Sequence, residues 1–577
     1  MSRAQKLTLP RWRVYLVALV VLALCLALLW RVTSLQVLPH TDRGFQFLQN
    51  QGQARTLRTE PISAYRGVIT DRNGEPLAVS TPVESLWADP QVLIQAPHRW
   101  AELAEALGWD KARLESRLAR FASREFMYLR RHLPPHQAEQ VLALNIPGVS
   151  SQREYRRFYP AGEVTAHLVG FTDIDDRGQE GMELAYDAWL SGESGAKQVL
   201  KDLRGNTVKE LQLIRAARPG RSLALSIDLR LQYLAHSELK AAVRSHGAIG
   251  GSLVIMDVHT GEVLAMTNQP AYNPNDRNRV SATGLRNRAL TDLFEPGSTV
   301  KPLAVMAAME AGEFRSDSVI DTSPGHVYVG GHMLLDPANY GALDLPMIIA
   351  KSSQVGMTKL ALAMEPNIIR SMYGRLGLGQ SPGTGFPGEG VGLLPSYSRW
   401  HPIQQANFAF GYGLNLSSLQ LAQAYGVLAT RGLKRPPSLL RLTDVPEPER
   451  VVDEALSESI VDMLRLAVSP NGTGHRANLP SYPVAGKTGT VRKVGANGYM
   501  DNKHLASFAG FAPADNPRIV AVVVIDEPSE TFYFGGQVAA PVFARVAERA
   551  LRLLQVPPET ESLQNLVEQP RRGRPLS

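Results

Sequence analysis

Residues 295–302 read EPGSTVKP, and this stretch decides what kind of protein the chain forms. Ser298 and Lys301 are three positions apart, so on a helix their side chains are surface neighbours. A serine hydroxyl is a weak nucleophile at neutral pH and needs an adjacent base. Lysine is such a base when burial or a nearby cation lowers its pKa and leaves the amine neutral. The stretch therefore supplies a candidate nucleophile and a candidate base.

The residues around this tetrad predict a buried helix. Residues 296–297 (Pro-Gly) end any earlier regular structure, and residues 303–309 (LAVMAAM) are apolar on nearly all sides. Pro302 is tolerated because the first N–H groups of a helix have no intrahelical partner. Ser298 is then expected at the N-terminus of this helix, where free N–H groups and the helix dipole favour a developing negative charge.

A second element lies far downstream, where residues 484–491 read VAGKTGTV. This pattern predicts a strand whose glycines allow another backbone to approach closely. Lys487 supplies a cation beside backbone donors, and an extended ligand peptide could pair along the strand. Either element alone is weak, since short motifs also arise by chance. Their combination and order predict acyl-serine chemistry.

Ser-x-x-Lys followed by Lys-Thr-Gly resembles the signature of class A β-lactamases and penicillin-binding proteins, which has a third element between the two. Residues 352–354 (SSQ) occupy the place of the Ser-x-Asn that penicillin-binding proteins usually have there. Ser352 matches, whereas Gln354 replaces the asparagine. Glutamine keeps the carboxamide, but its extra methylene moves that group by about 1 Å, and misplacement on this scale can lower a rate about a hundredfold.

Five further motifs resemble class B, or monofunctional, penicillin-binding proteins, and the last two fit the division-specific, septal branch. They are residues 66–78 (RGVITDRNGEPLA), 156–160 (RRFYP), 178–183 (GQEGME), 410–413 (FGYG) and 533–536 (YFGG). The resemblance runs from about residue 31 to 554. It implies an α/β fold with a penicillin-binding, β-lactamase-like transpeptidase domain, an elongated α+β pedestal domain before it, and a single N-terminal transmembrane helix.

The resemblance also implies a role for each matching residue. The expected catalytic residues are Ser298, Lys301, Ser352 and Lys487. The expected substrate-binding residues are Gln354, Thr488, Gly489 and Thr490, and the N–H groups of Ser298 and Thr490 are expected to form the oxyanion hole. The implied reaction is D,D-transpeptidation, in which stem peptides ending in D-Ala-D-Ala are cross-linked through an acyl-serine during septal wall synthesis. No metal and no cofactor are expected.

The implied partners are peptidoglycan stem peptides, β-lactam antibiotics, a membrane glycan polymerase of the SEDS type and other division proteins. Several rival functions use the same parts. A D,D-carboxypeptidase or β-lactamase would pass the acyl group to water. An elongation-specific transpeptidase would act elsewhere in the cell. A weakly active paralogue would serve as a division scaffold, and the replacement of the usual asparagine by Gln354 makes this alternative possible. A membrane β-lactam sensor would need further membrane segments or an effector domain.

Residues 14–30 carry no charge and are rich in Leu, Val and Ala, which is at the short end of what spans a bilayer. Arg3, Lys6, Arg11 and Arg13 precede the run with no acidic residue among them, which predicts a cytoplasmic N-terminus. A cleaved signal peptide is the alternative, but no small-x-small cleavage site follows. We therefore expect a single-pass anchor in the inner, cytoplasmic membrane and a periplasmic catalytic domain.

Composition excludes several other classes of protein. The only cysteine of the 577 residues, Cys25, lies in the apolar run, which excludes an intramolecular disulfide, thiol catalysis and a cysteine metal site. The 61 basic residues against 54 acidic ones give a net charge of only +7. We see no clustered basic face of the kind that nucleic-acid binding requires.

Domain boundaries follow from these patterns and from the resemblance. The expected segments are a cytoplasmic tail (1–13), an anchor (14–30), a pedestal of the class B dimerisation type (31–225), a transpeptidase domain (226–556) and a disordered tail (557–577). Within the transpeptidase domain, alternating and apolar runs predict a hairpin at 252–266, strands at 487–491, 504–511 and 518–526, and a closing helix at 541–554. Strands at both ends of a helical middle predict an antiparallel sheet covered by helices, with a helical subdomain.

Overall fold

The computed structural model describes residues 10–36, 57–201, 207–278, 280–495, 498–529 and 531–558. Most of the expected cytoplasmic tail and of the expected disordered tail lies outside the described residues. The helices, in chain order, are α1 Arg11–Gln36, α2 Pro90–Leu93, α3 Trp100–Leu107, α4 Lys111–Phe121, α5 Pro135–Leu142, α6 Ala166–Val169, α7 Gly181–Ala185, α8 Asp187–Leu190, α9 Leu229–Ser245, α10 Ala282–Leu285, α11 Arg288–Thr291, α12 Lys301–Glu310, α13 Leu345–Lys351, α14 Gln354–Leu362, α15 Pro366–Arg375, α16 Pro402–Ala409, α17 Ser418–Ala429, α18 Glu454–Val468, α19 Gly535–Val538 and α20 Ala540–Leu553.

Strands are numbered in the same way, and 3₁₀ turns are given without labels. The strands are β1 Leu57–Ile62, β2 Ile69–Thr70, β3 Pro76–Ala88, β4 Met127–Leu133, β5 Val149–Phe158, β6 Phe171–Thr172, β7 Gly178–Glu180, β8 Gly195–Lys201, β9 Thr207–Arg215, β10 Leu223–Ala224, β11 Gly250–Asp257, β12 Val263–Gln269, β13 Val319–Asp321, β14 His326–Val329, β15 His332–Leu335, β16 Ala342–Asp344, β17 Leu433–Lys434, β18 Glu449–Arg450, β19 Ala485–Gly495, β20 Gly498–Ala512 and β21 Ile519–Asp526. The 3₁₀ turns are Pro97–Arg99, Gly162–Val164, Gly297–Val300 and His475–Ala477.

Helix α1 is the one helix in the described part of the chain that is apolar and long enough to cross a membrane. Its 26 residues correspond to about 39 Å at the usual helical rise, which exceeds the hydrocarbon thickness of about 30 Å. The helix continues past both ends of the uncharged run at 14–30, because the flanking arginines are also helical. This helix suggests a membrane anchor.

The chain divides into two compact units. The first unit comprises Met1–Tyr65, Pro82–Tyr155 and Gly192–Pro219, and the second comprises Arg66–Thr81, Arg156–Ser191 and Gly220–Ser577. Three segments distant in sequence therefore build each unit. Motifs from the N-terminal half of the chain, at residues 66–78 and 178–183, belong to the same unit as the tetrad at 298–301.

The first unit contains an antiparallel sheet of order β1-β8-β9 and the pairing of β4 with the end of β3. Helices α2 to α5 bury their apolar positions against β4. For example, Leu103 and Leu107 of α3 pack in one cluster with Leu114 and Leu118 of α4 and Leu129 of β4. All five side chains are nearly inaccessible to water. The spacing of these leucines, three or four apart, is that of an amphipathic helix.

The second unit is built on a five-stranded sheet of order β12-β11-β21-β20-β19, in which every neighbouring pair is antiparallel. The predicted hairpin, the three predicted strands and the closing helix are all present, with β19 and β20 longer than predicted. Because successive side chains of a strand point to opposite faces, Ile525 and Val523 of β21 lie in a cluster with α9 and α20. Val524 and Val522 lie in the cluster on the other face, with α12 and α17. The sheet is therefore buried on both sides, and the predicted fold class is confirmed.

A buried ion network joins three of the motifs that carried the resemblance. Arg66 Nε lies 2.6 Å from Glu183 Oε2, and Arg157 Nε lies 2.7 Å from Glu183 Oε1. The side chains of Arg66 and Arg157 are 1% exposed and that of Glu183 is 0% exposed. Arg66 also reaches Asp187, at 2.7 Å. Glu183 therefore compensates two buried cations at once.

Replacement of Glu183 by glutamine should lower the free energy of unfolding by about 3–5 kcal/mol, because it leaves the buried Arg157 without a carboxylate partner and Arg66 with Asp187 alone. Unfolding in urea, followed by near-ultraviolet circular dichroism, measures the loss. Glu193→Gln is the matched control. Glu193 pairs with Arg218, and the two side chains are 69% and 79% exposed. Such an exposed ion pair contributes less than about 1 kcal/mol to the free energy of unfolding. Equal losses in the two variants would contradict a structural role for the network.

Candidate active site

The turn that carries the predicted nucleophile is a single 3₁₀ turn, Gly297–Val300, which leads directly into α12. Gly297 has a φ of +55°, a left-handed conformation that glycine adopts without steric strain. Pro302 is the second residue of α12, where no hydrogen bond is lost. The residues of α12 from Lys301 to Ala308 are all buried. Ser298 is half-buried at the entrance to this helix, as the sequence predicted.

Two glycines from other elements hold this turn by close backbone contact. The N–H of Gly297 donates to the carbonyl oxygen of Gly411 at 3.1 Å, and a Cβ on Gly411 would lie 2.2 Å from the Gly297 oxygen. A Cβ on Gly489 would lie 2.4 Å from Ser507 Oγ and 2.9 Å from the carbonyl oxygen of Pro296. Only glycine permits both approaches. The glycines of the FGYG and Lys-Thr-Gly motifs therefore position the turn that bears Ser298.

The amine of Lys301 is buried and binds the residue that follows α13. Its Nζ donates to the carbonyl oxygen of Ser352 at 2.7 Å and lies 3.2 Å from Ser352 Oγ. Ser352 has a φ of +59° and ends α13 in a left-handed conformation. Among the described residues, Lys301 Nζ makes no hydrogen bond to Ser298 Oγ, although both side chains line the same cleft.

Burial lowers the pKa of Lys301 to about 7. Removing an ammonium group from water disfavours its charged form, and the negative charge of Asp336 offsets only part of this effect. Near neutral pH, a large share of the molecules therefore has Lys301 as the free amine. That is the protonation state in which a lysine acts as a general base.

Lys487 of β19 is also fully buried. Its Nζ donates to Thr473 Oγ1 at 3.4 Å and to the carbonyl oxygen and Oγ1 of Thr488 at 3.2 and 3.3 Å. These partners are all neutral. Burial lowers the pKa of Lys487 well below its usual value, and the charge of Lys301 lowers it further. A ligand carboxylate would favour the charged form, so Lys487 is suited to receive an acidic group.

A cleft of about 510 Å³ brings most of the predicted site residues together. Those that line it are Ser298, Lys301, Ser352, Gln354, Thr488 and Thr490. The other two, Lys487 and Gly489, belong to β19, which is the edge strand of the sheet beside the cleft. Thr490 Oγ1 accepts a hydrogen bond from the N–H of Gly535 at 2.9 Å, which joins the YFGG motif to this strand. An extended ligand could pair along such an edge.

Asp336 is a site residue that no sequence pattern indicated. Its Oδ2 accepts from Ser353 Oγ at 2.5 Å, and its Oδ1 accepts from the N–H groups of Gln354 and Val355 at 2.5 and 3.2 Å. Those N–H groups begin α14, so the carboxylate satisfies donors that a helix leaves free at its N-terminus. Asp336 thereby fixes the segment that contains Ser352 and Gln354.

Glu295 is a second site residue that no sequence pattern indicated. Its Oε1 accepts from the N–H of Gly413 at 2.7 Å and from the hydroxyl of Tyr499 at 3.1 Å. Burial raises the pKa of Glu295. Its carboxylate connects the segment before Ser298 with the FGYG turn and with the hairpin of β19 and β20.

A serine at the entrance to a buried helix, a buried lysine of lowered pKa in the same cleft and a Lys-Thr-Gly edge strand define a serine acyltransferase of the penicillin-recognising class. Family models agree with this geometry. The penicillin binding protein transpeptidase domain matches residues 251–548, and the penicillin-binding protein dimerisation domain matches residues 61–225.

Relatives and solved structures are similar over most of the chain. The chain is 42% identical to peptidoglycan D,D-transpeptidase FtsI of Escherichia coli K12, with 95% of this chain and 93% of that protein covered. It is also 42% identical to the probable peptidoglycan D,D-transpeptidase PbpC of Pseudomonas aeruginosa, covering 95% and 96%. Penicillin binding protein 3 of Mycobacterium tuberculosis complexed with ampicillin has a TM-score of 0.67 and 28% identity, covering 87% and 98%. The chain belongs to the class B penicillin-binding proteins, in the septal D,D-transpeptidase branch, which confirms the family predicted from its motifs.

The rate of acylation by a β-lactam should depend on the ionisation of Lys301. Because only the free amine accepts a proton, the rate should fall about tenfold for each pH unit below a pKa of about 7. Above that pH it should level off. Stopped-flow measurements between pH 5 and 9, corrected for spontaneous hydrolysis of the β-lactam, provide the profile. A rate that stays constant down to pH 5 would exclude Lys301 as the base.

Gly411→Ala should slow acylation about a hundredfold, because its methyl group would displace the turn of Ser298 by an amount that disrupts alignment. Gly413→Ala is the matched control. Gly413 also has a positive φ, +76°, but nothing lies within 4 Å of the position of its Cβ. Both glycines have a positive φ, +92° at Gly411 and +76° at Gly413, so both variants carry backbone strain, whereas only the Gly411 variant would contact Gly297. Similar rates in the two variants would rule out positioning by Gly411.

Proposed function

We propose that this chain cross-links peptidoglycan stem peptides in the periplasm during septal wall synthesis, held to the cytoplasmic membrane by α1. The observation that carries the proposal is the buried amine of Lys301, which has a pKa of about 7 and opens onto the cleft that contains Ser298. The resemblance supplies the substrate, a stem peptide ending in D-Ala-D-Ala.

Acylation begins when Ser298 Oγ attacks the carbonyl carbon between the two terminal D-alanines. Lys301 Nζ accepts the hydroxyl proton, and the carbonyl oxygen becomes an oxyanion. The N–H groups of Ser298 and Thr490 are proposed to stabilise that charge, since both residues line the cleft. The bond from the carbonyl carbon to the terminal D-alanine nitrogen then breaks, and an ester to Ser298 remains.

The leaving D-alanine nitrogen needs a proton, and Ser352 is proposed to deliver it. The contact of 3.2 Å between Lys301 Nζ and Ser352 Oγ supports this route, because the hydroxyl can receive the proton taken from Ser298 while it donates its own. In the second half-reaction the amine of a neighbouring stem peptide attacks the ester. The bond between the carbonyl carbon and Ser298 Oγ breaks, the proton lost by the attacking amine returns to Ser298 Oγ, and a 4→3 cross-link is formed.

Substrate binding is proposed to use β19, the edge strand of the sheet. Thr488 and Thr490 line the cleft and can hydrogen-bond an extended peptide, while Gly489 leaves room for the turn of Ser298. Lys487 would attract the terminal carboxylate of the donor peptide. The Gln354 carboxamide would contact the substrate amide. A β-lactam would occupy the same position and remain as a slowly released ester.

A glycan polymerase of the SEDS type and other division proteins are proposed as partners, by resemblance. A second candidate function follows from Gln354, which lines the cleft where the family usually has asparagine. A glutamine there could slow catalysis, and the chain would then serve as a specialised, weakly active paralogue that acts as a division scaffold.

Labelling with a fluorescent penicillin distinguishes these functions. Covalent label on the wild type, none on Ser298→Ala, and normal label on the exposed control Ser396→Ala would support the transpeptidase. Absence of label on the wild type would favour the scaffold. Rapid loss of label would favour hydrolysis, as in a carboxypeptidase or β-lactamase. Localisation to the sidewall rather than to midcell would favour the elongation-specific alternative.

Gln354→Asn should raise the rate of acylation about tenfold or more, because it removes the extra methylene and returns the carboxamide to its usual position. Gln354→Ala provides the comparison, since it has no carboxamide and should be slower than the wild type. Rates are measured with the same fluorescent penicillin under pseudo-first-order conditions. A slower asparagine variant would mean that this site is built around glutamine.

A further inference from the structure

The first unit contains a basic groove that has no part in the chemistry described above. The groove has a volume of about 410 Å³ and lies between the end of α3, the helix α4 and the strand β4. Its lining includes one tryptophan and four arginines: Trp109, Arg113, Arg117, Arg130 and Arg131. None of the described residues that line it is acidic. We define these five residues as the arginine groove.

One of the four arginines of this groove has an acidic partner. Arg131 pairs with Glu154 at 3.1 Å. In the ranges that the structure describes, Arg113, Arg117 and Arg130 form no ion pair with any carboxylate. Like charges that converge in this way repel each other. Three guanidinium groups without acidic partners are therefore unfavourable at one place unless an anionic ligand binds there.

Arg113 and Arg130 are exposed and Arg117 is half-buried, and each guanidinium group has a contact that restrains it. Arg113 and Arg117 lie 4.5 and 5.3 Å from the centre of the Trp109 ring. Arg117 Nη2 donates to the carbonyl oxygen of Tyr128 at 2.9 Å, and Arg130 Nη1 donates to that of Leu107 at 3.1 Å. Each contact uses one side of a guanidinium group and leaves other N–H donors free. Arg117 Nε is buried and has no hydrogen-bond partner.

Fixed guanidinium forks are the protein groups best suited to oxyanions. Their planar pairs of N–H donors match the two oxygens of a carboxylate or phosphate, and such bidentate, charge-assisted bonds are stronger than neutral ones. Prior fixation by Trp109 and by backbone carbonyls lowers the entropy that the arginine side chains lose on binding. The buried, unpartnered Nε of Arg117 is a donor that a ligand oxygen could satisfy.

We propose that the arginine groove is a binding site for a ligand with two or more closely spaced oxyanion groups. Arg113, Arg117 and Arg130 bind the oxygens, and Trp109 holds two of these arginines in place. The site contains none of the catalytic residues, so it goes beyond the proposed function and does not depend on it. Phosphate and carboxylate groups share the required chemistry.

The test uses the full-length chain in detergent and inorganic pyrophosphate as the probe, with binding measured by isothermal titration calorimetry. The wild type should bind pyrophosphate saturably, and binding should weaken as salt concentration rises. The double variant Arg117→Ala with Arg130→Ala should weaken binding about tenfold or more, because each removed guanidinium takes away charge-assisted hydrogen bonds. No saturable binding of either pyrophosphate or citrate would overturn the proposal.

Arg120→Ala with Arg124→Ala is the matched control. It removes the same charge from the same unit, but both arginines are exposed and neither lines the groove. Binding by this control should stay within about twofold of the wild type. Equal weakening in both double variants would show general charge attraction and would overturn the proposal.

A third variant, Arg117→Lys with Arg130→Lys, covers the case in which the alanine variant does not fold. It keeps both charges but loses the forks, so its affinity should lie between those of wild type and alanine variant. If the lysine variant binds pyrophosphate as tightly as the wild type, recognition by paired guanidinium N–H donors is contradicted.

Penicillin labelling of Ser298 should be unchanged in every variant, which separates this result from any failure of the proposed function. Tighter binding of pyrophosphate than of citrate identifies a phosphate ligand, and the reverse order identifies a carboxylate ligand.

Discussion

The site depends on one constraint: a lysine amine must stay out of water without a carboxylate to neutralise it. Helix α12 meets this constraint by being apolar on every side and by burying Lys301 at its first position. The amine is satisfied by the Ser352 carbonyl oxygen, a neutral acceptor that does not hold the proton as a carboxylate would. Asp336 is close enough to raise the pKa of the amine, but its oxygens are occupied by Ser353 and the start of α14. The free base at neutral pH follows from this balance.

Backbone contacts give the site its geometry, and they occur at the motifs that carried the resemblance. The turn of Ser298 is in contact with Gly411 and with the strand of Gly489, with no side chain between the main chains. Gly535 approaches the Gly489 carbonyl oxygen in the same manner. Glu183 has a comparable role away from the site, because it joins segments that lie 117 and 26 positions apart from it in sequence. The positions of catalytic groups are thus set mainly by main-chain packing and by buried charge.

Much of this arrangement could be predicted from sequence, since its signals are local. The apolar run after Lys301 predicted α12, and the alternation and turn residues predicted β11, β12 and β19 to β21. Asp336 and Glu295 could not be predicted, because they bind residues far along the chain: Glu295 contacts positions 118 and 204 residues away. Helical spacing suggested that the Lys301 amine lies beside Ser298, but no local pattern shows that its hydrogen bonds go to Ser352. Contacts between charged groups and residues distant in sequence do not produce a periodic pattern in the sequence.

The position of Gln354 at the start of α14 has an evolutionary consequence. The contact with Asp336 uses the main-chain N–H of this residue, and within the described residues its carboxamide forms no hydrogen bond. Mutation can therefore exchange this side chain without disturbing the scaffold. Mutation at codon 354 would change the lining of the cleft at little cost to the fold, whereas mutation of the neighbouring Ser353 would remove its hydroxyl bond to Asp336.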